Sequence, residues 1–491
     1  MQCSWPTPDG LFRIHYDTSG YEAVYHSSED VNPHDGIPDY VNRAADYFDL
    51  AYHAIVGGLG FDPPPYDNGE GGDLLYDIYF TDVTGLTAPE VPSDQYPGRP
   101  AYTSFIQLGH DLRIPRYGDD PYPFLRASVA HEFFHSVEFA YRAYSSDPTP
   151  WWFESCANWA EEIVFDDLND VYYPLPAYLQ ALHQSLYMTA GEFMYGAWLL
   201  PEYIAERMGP AFIRNCWLRF ASFDFAVTAL DFELRDHGSQ FNDEYCGHIV
   251  WNYFTGPNYR DGFYSEGDMF GATVYEARVH SNYPVDWVSA PIQLQNVSAC
   301  YIVFRPPGIA KGDLIIEYAN PTARKQAVSV AAARRFGPVE FNTYQIHNGV
   351  AATFSVRDFA TTEKVIMMPA WVYEGVPREG LTTFSYRAYI DTATAIEDGN
   401  ATPFAEFGLN AAYPNPFNNA VTISFNAPSA ENYMIRICDI AGRAIYDQKD
   451  LCRPGVNTID WQAPPYLASG ILFYIINVKD AQLEGRITLL K

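Results

Sequence analysis

Basic residues are scarce in this chain. Its 491 residues hold 30 Lys and Arg against 61 Asp and Glu, a formal charge of -31. Such a balance repels a phosphate backbone, so nucleic-acid binding is not expected. The acidity fits a well-solvated exported protein and says nothing about the charge of a substrate. Long apolar runs are missing too, and none reaches the length needed to span a bilayer. The opening Met1-Gln2-Cys3-Ser4-Trp5-Pro6 lacks the charged start and apolar segment of a signal peptide; because features near the other end argue for export, an incomplete or mis-started N-terminus is expected. Cysteine is limited to seven residues with no CxxC spacing, so a cysteine zinc site is not expected. Seven is odd, so at least one thiol is unpaired within the chain. Cys216 with Cys246, and Cys438 with Cys452, are the candidate disulfides.

What is present is apolar and aromatic. Hydrophobic residues make up 48% and aromatics 16%, which excludes a largely disordered chain. The length calls for two to four domains. Phe12–Asp17, Leu74–Phe80 and Ala101–Leu108 read as strands, and Pro38–Ile55 as a helix. The Pro/Gly-rich stretch from Thr84 to Arg99 reads as a loop. From about Pro284 short strands bounded by Pro, Gly or Asn replace the helices, which predicts a β-sandwich over 284–390. Residues 391–408 are small and polar and read as a linker.

The chemistry concentrates in His131-Glu132-Phe133-Phe134-His135. On a helix, residues four apart share a face, so two imidazoles can reach one metal ion. Glu132 stands beside them, where it can hold a water. Two core histidines capped by carbonyls would give the same run. The next predicted helix, from Trp151 to Glu162, carries Glu154 nineteen positions after His135. A two-histidine site needs a third protein ligand and an open position for water, and a carboxylate there supplies it. Glu161 and Glu162 follow on the same helix and are alternatives for that ligand.

HExxH followed by a glutamate in a Trp-x-x-Glu-x-x-Ala context resembles the gluzincin metallopeptidases. The stretch from His131 to about Gly209 is most similar to a group of secreted bacterial metalloproteases with a His-Glu-Phe-Phe-His helix, a Trp-Trp-Glu helix and a Tyr-Gly-Ala segment. The likeness extends from about Phe12 to Trp217. It implies a zincin-like α+β metalloprotease domain over 1–283, with Zn2+ on His131, His135 and Glu154 and with Glu132 as general base. It also implies a cleft in which an edge strand pairs with a peptide or protein substrate, and 101–108 is the candidate edge. Asn158 and Glu138 are candidates to orient the ligands. Tyr195 is the candidate donor to the oxyanion, with His183 as a weaker alternative. Tyr195 is equally well read as an ordinary core tyrosine in a chain with 38 of them. The aminopeptidases of that clan carry Gly-x-Met-Glu-Asn, which is missing from this sequence, so an endopeptidase is preferred. A non-catalytic surface or adhesion protein on the same scaffold is the competing reading.

Two further features stand outside that site. Asp30–Asp39 is rich in oxygen ligands and glycine, as in calcium loops, but its register is one residue off the EF-hand and its closing Glu is missing. Ca2+ there is an expectation beside that of a plain turn before a helix. Near the C-terminus, Tyr413-Pro-Asn-Pro-Phe417, Asp439-Ile-Ala-Gly-Arg443 and Ala468-Ser-Gly-Ile-Leu-Phe-Tyr474 are similar to the C-terminal sorting domain of type IX secretion. That resemblance implies an Ig-like β-sandwich over 409–491, recognition by the type IX secretion machinery, and a secreted or cell-surface location. A plain Ig-like module is the alternative.

Overall fold

The structure is a computed structural model that describes residues 1–66, 69–143, 150–308, 311–346, 351–392, 408–413, 415–427, 430–452, 455–479 and 481–490. Most of the expected linker, residues 393–407, lies outside the described residues. The chain divides into two compact units, Met1–Ile390 and Asp391–Lys491.

The first unit begins with β1 (Cys3–Pro6), β2 (Phe12–Tyr16), α1 (Asp39–Tyr52), β3 (Tyr76–Thr81), β4 (Gly85–Pro92) and β5 (Tyr102–Gly109). The strands form one sheet in the order β1-β2-β3-β5-β4, with β2, β3 and β5 parallel to one another and β4 antiparallel at the edge. Ile14, Ile78 and Ile106 stand in register across the three parallel strands, and all are fully buried. The next helices are α2 (Tyr122–Glu138) and α3 (Pro150–Val164). Phe12 of β2 touches both Phe48 of α1 and Phe133 of α2, at ring separations of 5.3 and 5.5 Å, so α1 and α2 are fixed on one face of the sheet.

The expected edge strand needs correction. The 102–109 strand is interior, between β3 and β4, and the edge is Gly85–Pro92, within the stretch that reads as a loop from sequence. Its Pro89 and Pro92 suit an edge, where a missing N–H leaves no ladder bond unmade.

Helices α4 (Leu175–Leu179), α5 (Phe193–Gly196), α6 (Leu199–Met208), α7 (Ala211–Phe220), α8 (Ala226–Asp236) and α9 (Phe241–Tyr253) follow. Then come β6 (Glu276–His280), β7 (Val285–Ser289), β8 (Ser298–Ala299), β9 (Tyr301–Phe304), β10 (Asp313–Ala319), β11 (Gln326–Arg334), β12 (Val339–Ile346), β13 (Ala351–Val356), β14 (Thr362–Trp371) and β15 (Ser385–Asp391). They form two facing sheets, β13-β10-β15-β7 and β12-β11-β14-β9-β6, the latter with β8 beside β14. Leu314, Ile316, Val328, Met367 and Trp371 fill the space between them. The other face of β11 and β14 presents Ala327, Ala331, Ala333, Ile366 and Met368 to the core of the helical region. Small alanines on that side let α9 approach closely, and β11 is buried almost throughout. The hydrophobic core therefore runs across residue 284, and β6 already belongs to the sandwich eight residues earlier, at Glu276.

The second unit holds β16 (Gly408–Tyr413), β17 (Ala420–Ala427), β18 (Asn432–Cys438), β19 (Ala444–Leu451), β20 (Gly455–Gln462), β21 (Gly470–Val478) and β22 (Ala481–Leu489). The sheets β16-β17-β20 and β19-β18-β21-β22 enclose Val421, Ile423, Phe425, Ile435, Trp461 and Ile476. The Asp-x-x-Gly-Arg run is the β18–β19 turn. Asp439 Oδ1 accepts the N–H of Ala441 and Arg443, Asp439 Oδ2 accepts Arg443 Nε at 2.7 Å, and Gly442 supplies the positive φ of 76°.

Neither of the two expected disulfides, Cys216 with Cys246 and Cys438 with Cys452, is formed. Cys438 and Cys452 sit at opposite ends of the β18–β19 hairpin, since Cys438 pairs with Ala444 while Leu451 pairs with Asn432. Cys246 faces Ser329 of β11, whereas Cys216 lies on α7 near Cys156 of α3.

Candidate metal centre

Helix α2 is buried nearly all round from Leu125 onward, so its polar residues are enclosed with the apolar ones. His131 and His135 project from one face toward α3. Their Nε2 atoms are 3.1 Å apart, and Glu154 Oε2 of α3 lies 3.3 Å from the first and 3.6 Å from the second. A tetrahedral zinc ion about 2.0–2.1 Å from each donor calls for edges of about 3.3 Å. The donor set of two imidazoles and one carboxylate also suits zinc, so the residues fit the ion. The His131 and Glu154 side chains keep 14% and 16% of their exposure, which leaves one side of the triangle open to solvent.

Each imidazole is backed by a buried carboxylate. His135 Nδ1 is 2.8 Å from Glu138 Oε2, one turn along α2, and His131 Nδ1 is 2.9 Å from Glu161 Oε1 of α3. A ring whose Nδ1–H is held this way turns its Nε2 lone pair outward, toward a metal. Glu161, an alternative third ligand in the sequence, instead sits behind His131. Glu162 points elsewhere, toward Asp166 and Glu266, with which it forms a second group of carboxylates able to share a cation. Asn158 is engaged elsewhere. Its Nδ2 donates to the Tyr195 carbonyl oxygen at 3.2 Å and so ties α5 to α3.

The charges of the cluster depend on one another. Burial opposes a charge on His131, but Glu154 and Glu161 outweigh it and raise the ring well above the ordinary histidine value. His135 is pushed up to about 10, burial again opposing and Glu138 and Glu154 prevailing. Glu154 is held far below the usual carboxylate range by His135 and His131, despite its burial. Burial lifts Glu138 to about 8 and Glu161 to about 7.

Glu132, beside His131 on α2, has its carboxylate held by the edge strand. Thr87 Oγ1 of β4 donates to Glu132 Oε2 at 2.8 Å, and a Cβ at Gly85 would overlap Glu132 Oε1. Neither β4 residue was singled out in the sequence, because the strand reads as a loop. Tyr195 lies on α5 with its ring 6.1 Å from that of His131. Burial, then the charge of Glu154, raises its phenol above the ordinary tyrosine value, so it stays a donor. His183 stands elsewhere, beside Tyr275, Ile292 and Tyr301. A cavity of about 460 Å³ between α8 and the sandwich, lined by Asp231, Arg235, Arg324 and Glu374 among others, contains none of these residues.

Residues 411–489 match the family described as a secretion system C-terminal sorting domain. The protein is secreted or held at the cell surface. The match implies an interaction with the type IX secretion machinery, and no helix among the described residues is long and apolar enough to cross a membrane. Residues 124–250, which include His131, His135 and Glu154, match a family of unknown function (DUF6055). No curated protein matches the chain. Among solved structures it is similar to PorZ, a bacterial surface component of the type IX secretion system of Porphyromonas gingivalis, at 19% identity over 22% of this chain and 14% of that one, TM-score 0.15. Dimeric latent PorU of the same organism gives 10% identity, 36% and 30% coverage and a TM-score of 0.16. A GH2 β-galacturonidase from Eisenbergiella tayi gives 11%, 42% and 36%, and 0.16. The chain thus covers between 14% and 36% of these structures' lengths, and likenesses of this size carry nothing about its activity.

Proposed function

We propose that the chain is a secreted zinc-dependent endopeptidase of the zincin type. The observation that carries this reading is the triangle of His131, His135 and Glu154, with each histidine backed by its own buried carboxylate. Zinc bound there would lower the pKa of a water and polarise the scissile carbonyl. Glu132 takes the proton of the attacking water and passes it to the leaving amine. Thr87 and Gly85 hold its carboxylate in place for both transfers. The Tyr195 hydroxyl donates to the oxygen on which negative charge develops. Asn158 sets the position of Tyr195 through its backbone. The outer edge of β4 has no strand partner among the described residues and lies next to Glu132, which suits an extended peptide added as a further strand. Binding along the middle of a chain agrees with the missing amine-capturing motif.

Casein cleavage tests the reading. Treatment with a zinc chelator should abolish cleavage and added zinc should restore it. Cleavage that persists in chelator, or none from the zinc-loaded chain, would sink the peptidase assignment.

A further inference from the structure

The loop ahead of α1 has no part in the site above. We propose that residues 30–42 form a calcium site, closed by Asn42 on the first turn of that helix.

The register supports this when it is counted from Asp35 instead of Asp30. Asp35, Gly36, Asp39 and Asn42 fall at the spacing of positions 5, 6, 9 and 12 of an EF-hand loop, whose ninth position often binds through a water. The extra residue then lies between Asp30 and Asp35. Gly36 has the positive φ, 88°, that the sharp turn at position 6 requires. Asp30 organises the turn by accepting the N–H groups of Asp35 and Gly36, both at 2.9 Å. Helix α1 begins at Asp39, so Asn42 is carried back toward the loop.

An independent observation comes from Asn42 itself. The residue is only 4% exposed, and its Oδ1 is buried with no hydrogen-bond partner. A buried carbonyl oxygen without a donor is costly, and native proteins rarely leave one. Its Nδ2 sits 3.4 Å from Asp35 Oδ1, so the amide faces the acid. A half-turn of the amide brings the orphan oxygen there instead. Two oxygens side by side, one of them a carboxylate, are satisfied by a cation between them.

The donors are all oxygens on a flexible loop, which favours calcium over magnesium, with its strict octahedron. A neutral closing amide in place of a bidentate glutamate places the site in the weak class, with a Kd of about 0.1–1 mM, typical of extracellular modules. An exported protein meets such concentrations only outside the cell.

The test uses the full chain, freed of metals by chelation, with calcium alone as the probe in titration calorimetry and thermal unfolding. Calcium at about 10 mM should raise the Tm. Asp35→Asn should remove both the binding heat and the shift. Asn42→Glu, which supplies the missing closing carboxylate, should tighten binding at least about tenfold and remains informative should Asp35→Asn fail to fold. Glu266→Gln, at the other carboxylate group, should leave both readouts unchanged. The proposal is overturned by the absence of any calcium heat or shift, by an effect lost in Glu266→Gln but kept in Asp35→Asn, or by Asn42→Glu binding no tighter than the parent.

Discussion

Removing the carboxylate behind His131 should weaken zinc binding without touching a ligand. Glu161 is 8% exposed and holds His131 Nδ1 at 2.9 Å. Its contribution is to fix the ring's tautomer and angle and to raise the basicity of Nε2. Burial lifts Glu161 to about 7, so the neutral form is already accessible and glutamine is a close match in shape and charge to it. Glu161→Gln keeps an acceptor for Nδ1–H but loses the charge, and zinc affinity should fall about tenfold. Glu161→Ala leaves a buried Nδ1–H unpaired and should cost about 100-fold, or about 2.7 kcal/mol. Glu162→Gln, the next residue on α3, should change the affinity by less than about twofold, because its carboxylate faces Asp166 and Glu266. The assay is competition for zinc with a chromophoric chelator, with circular dichroism to confirm the fold. Equal affinities for the parent and both Glu161 variants would refute the argument, as would a loss in Glu162→Gln as large as that in Glu161→Gln.

Other outcomes follow from the same geometry. Metal-free His135, pushed up to about 10, carries a proton at pH 7 and must lose it to bind zinc. Zinc uptake at pH 7 should therefore release protons, seen as a dependence of the calorimetric heat on the buffer's ionisation enthalpy, and affinity should climb as pH rises toward 10. In the metal-free chain the sign is opposite for folding: a raised histidine stabilises fully below its unfolded value of about 6.5, and this is lost as pH rises through about 10. Phe133→Ala empties a fully buried site against Phe12 and Tyr52 and should cost about 3–5 kcal/mol, measured by the denaturant midpoint. Deleting residues 409–491 should leave the protein inside the outer membrane, read by fractionation, and unchanged export would contradict a sorting role.

The helix that brings His131 and His135 together was legible from sequence because their i, i+4 spacing fixes a shared face before any fold is known. Glu154 was favoured over Glu161 and Glu162 by the family resemblance, and it is the one that lies with the two histidines. The place of Glu161 is written in the helical period: positions 154, 158 and 161 share a face of α3, so a carboxylate at 161 points back toward the histidines. Asn158 lies on that face too, but its amide is taken by the Tyr195 carbonyl, which sequence spacing cannot reveal. The edge strand was hidden by Gly85, Pro89 and Pro92, residues that mark loops except where one side of a strand is unpaired. The shared core of α9 and β11 was hidden for another reason. Alternating Ala and Val in β11 reads as a sandwich strand, and nothing local says that the alanine side meets a helix.

In the proposed reaction Glu132 moves the proton while the histidines and Glu154 hold the metal. The rate of casein cleavage by zinc-loaded Glu132→Gln, against the parent at equal zinc content, tests it most directly. The rate should fall at least about 10²-fold with zinc retained. Cleavage at the parental rate would contradict it.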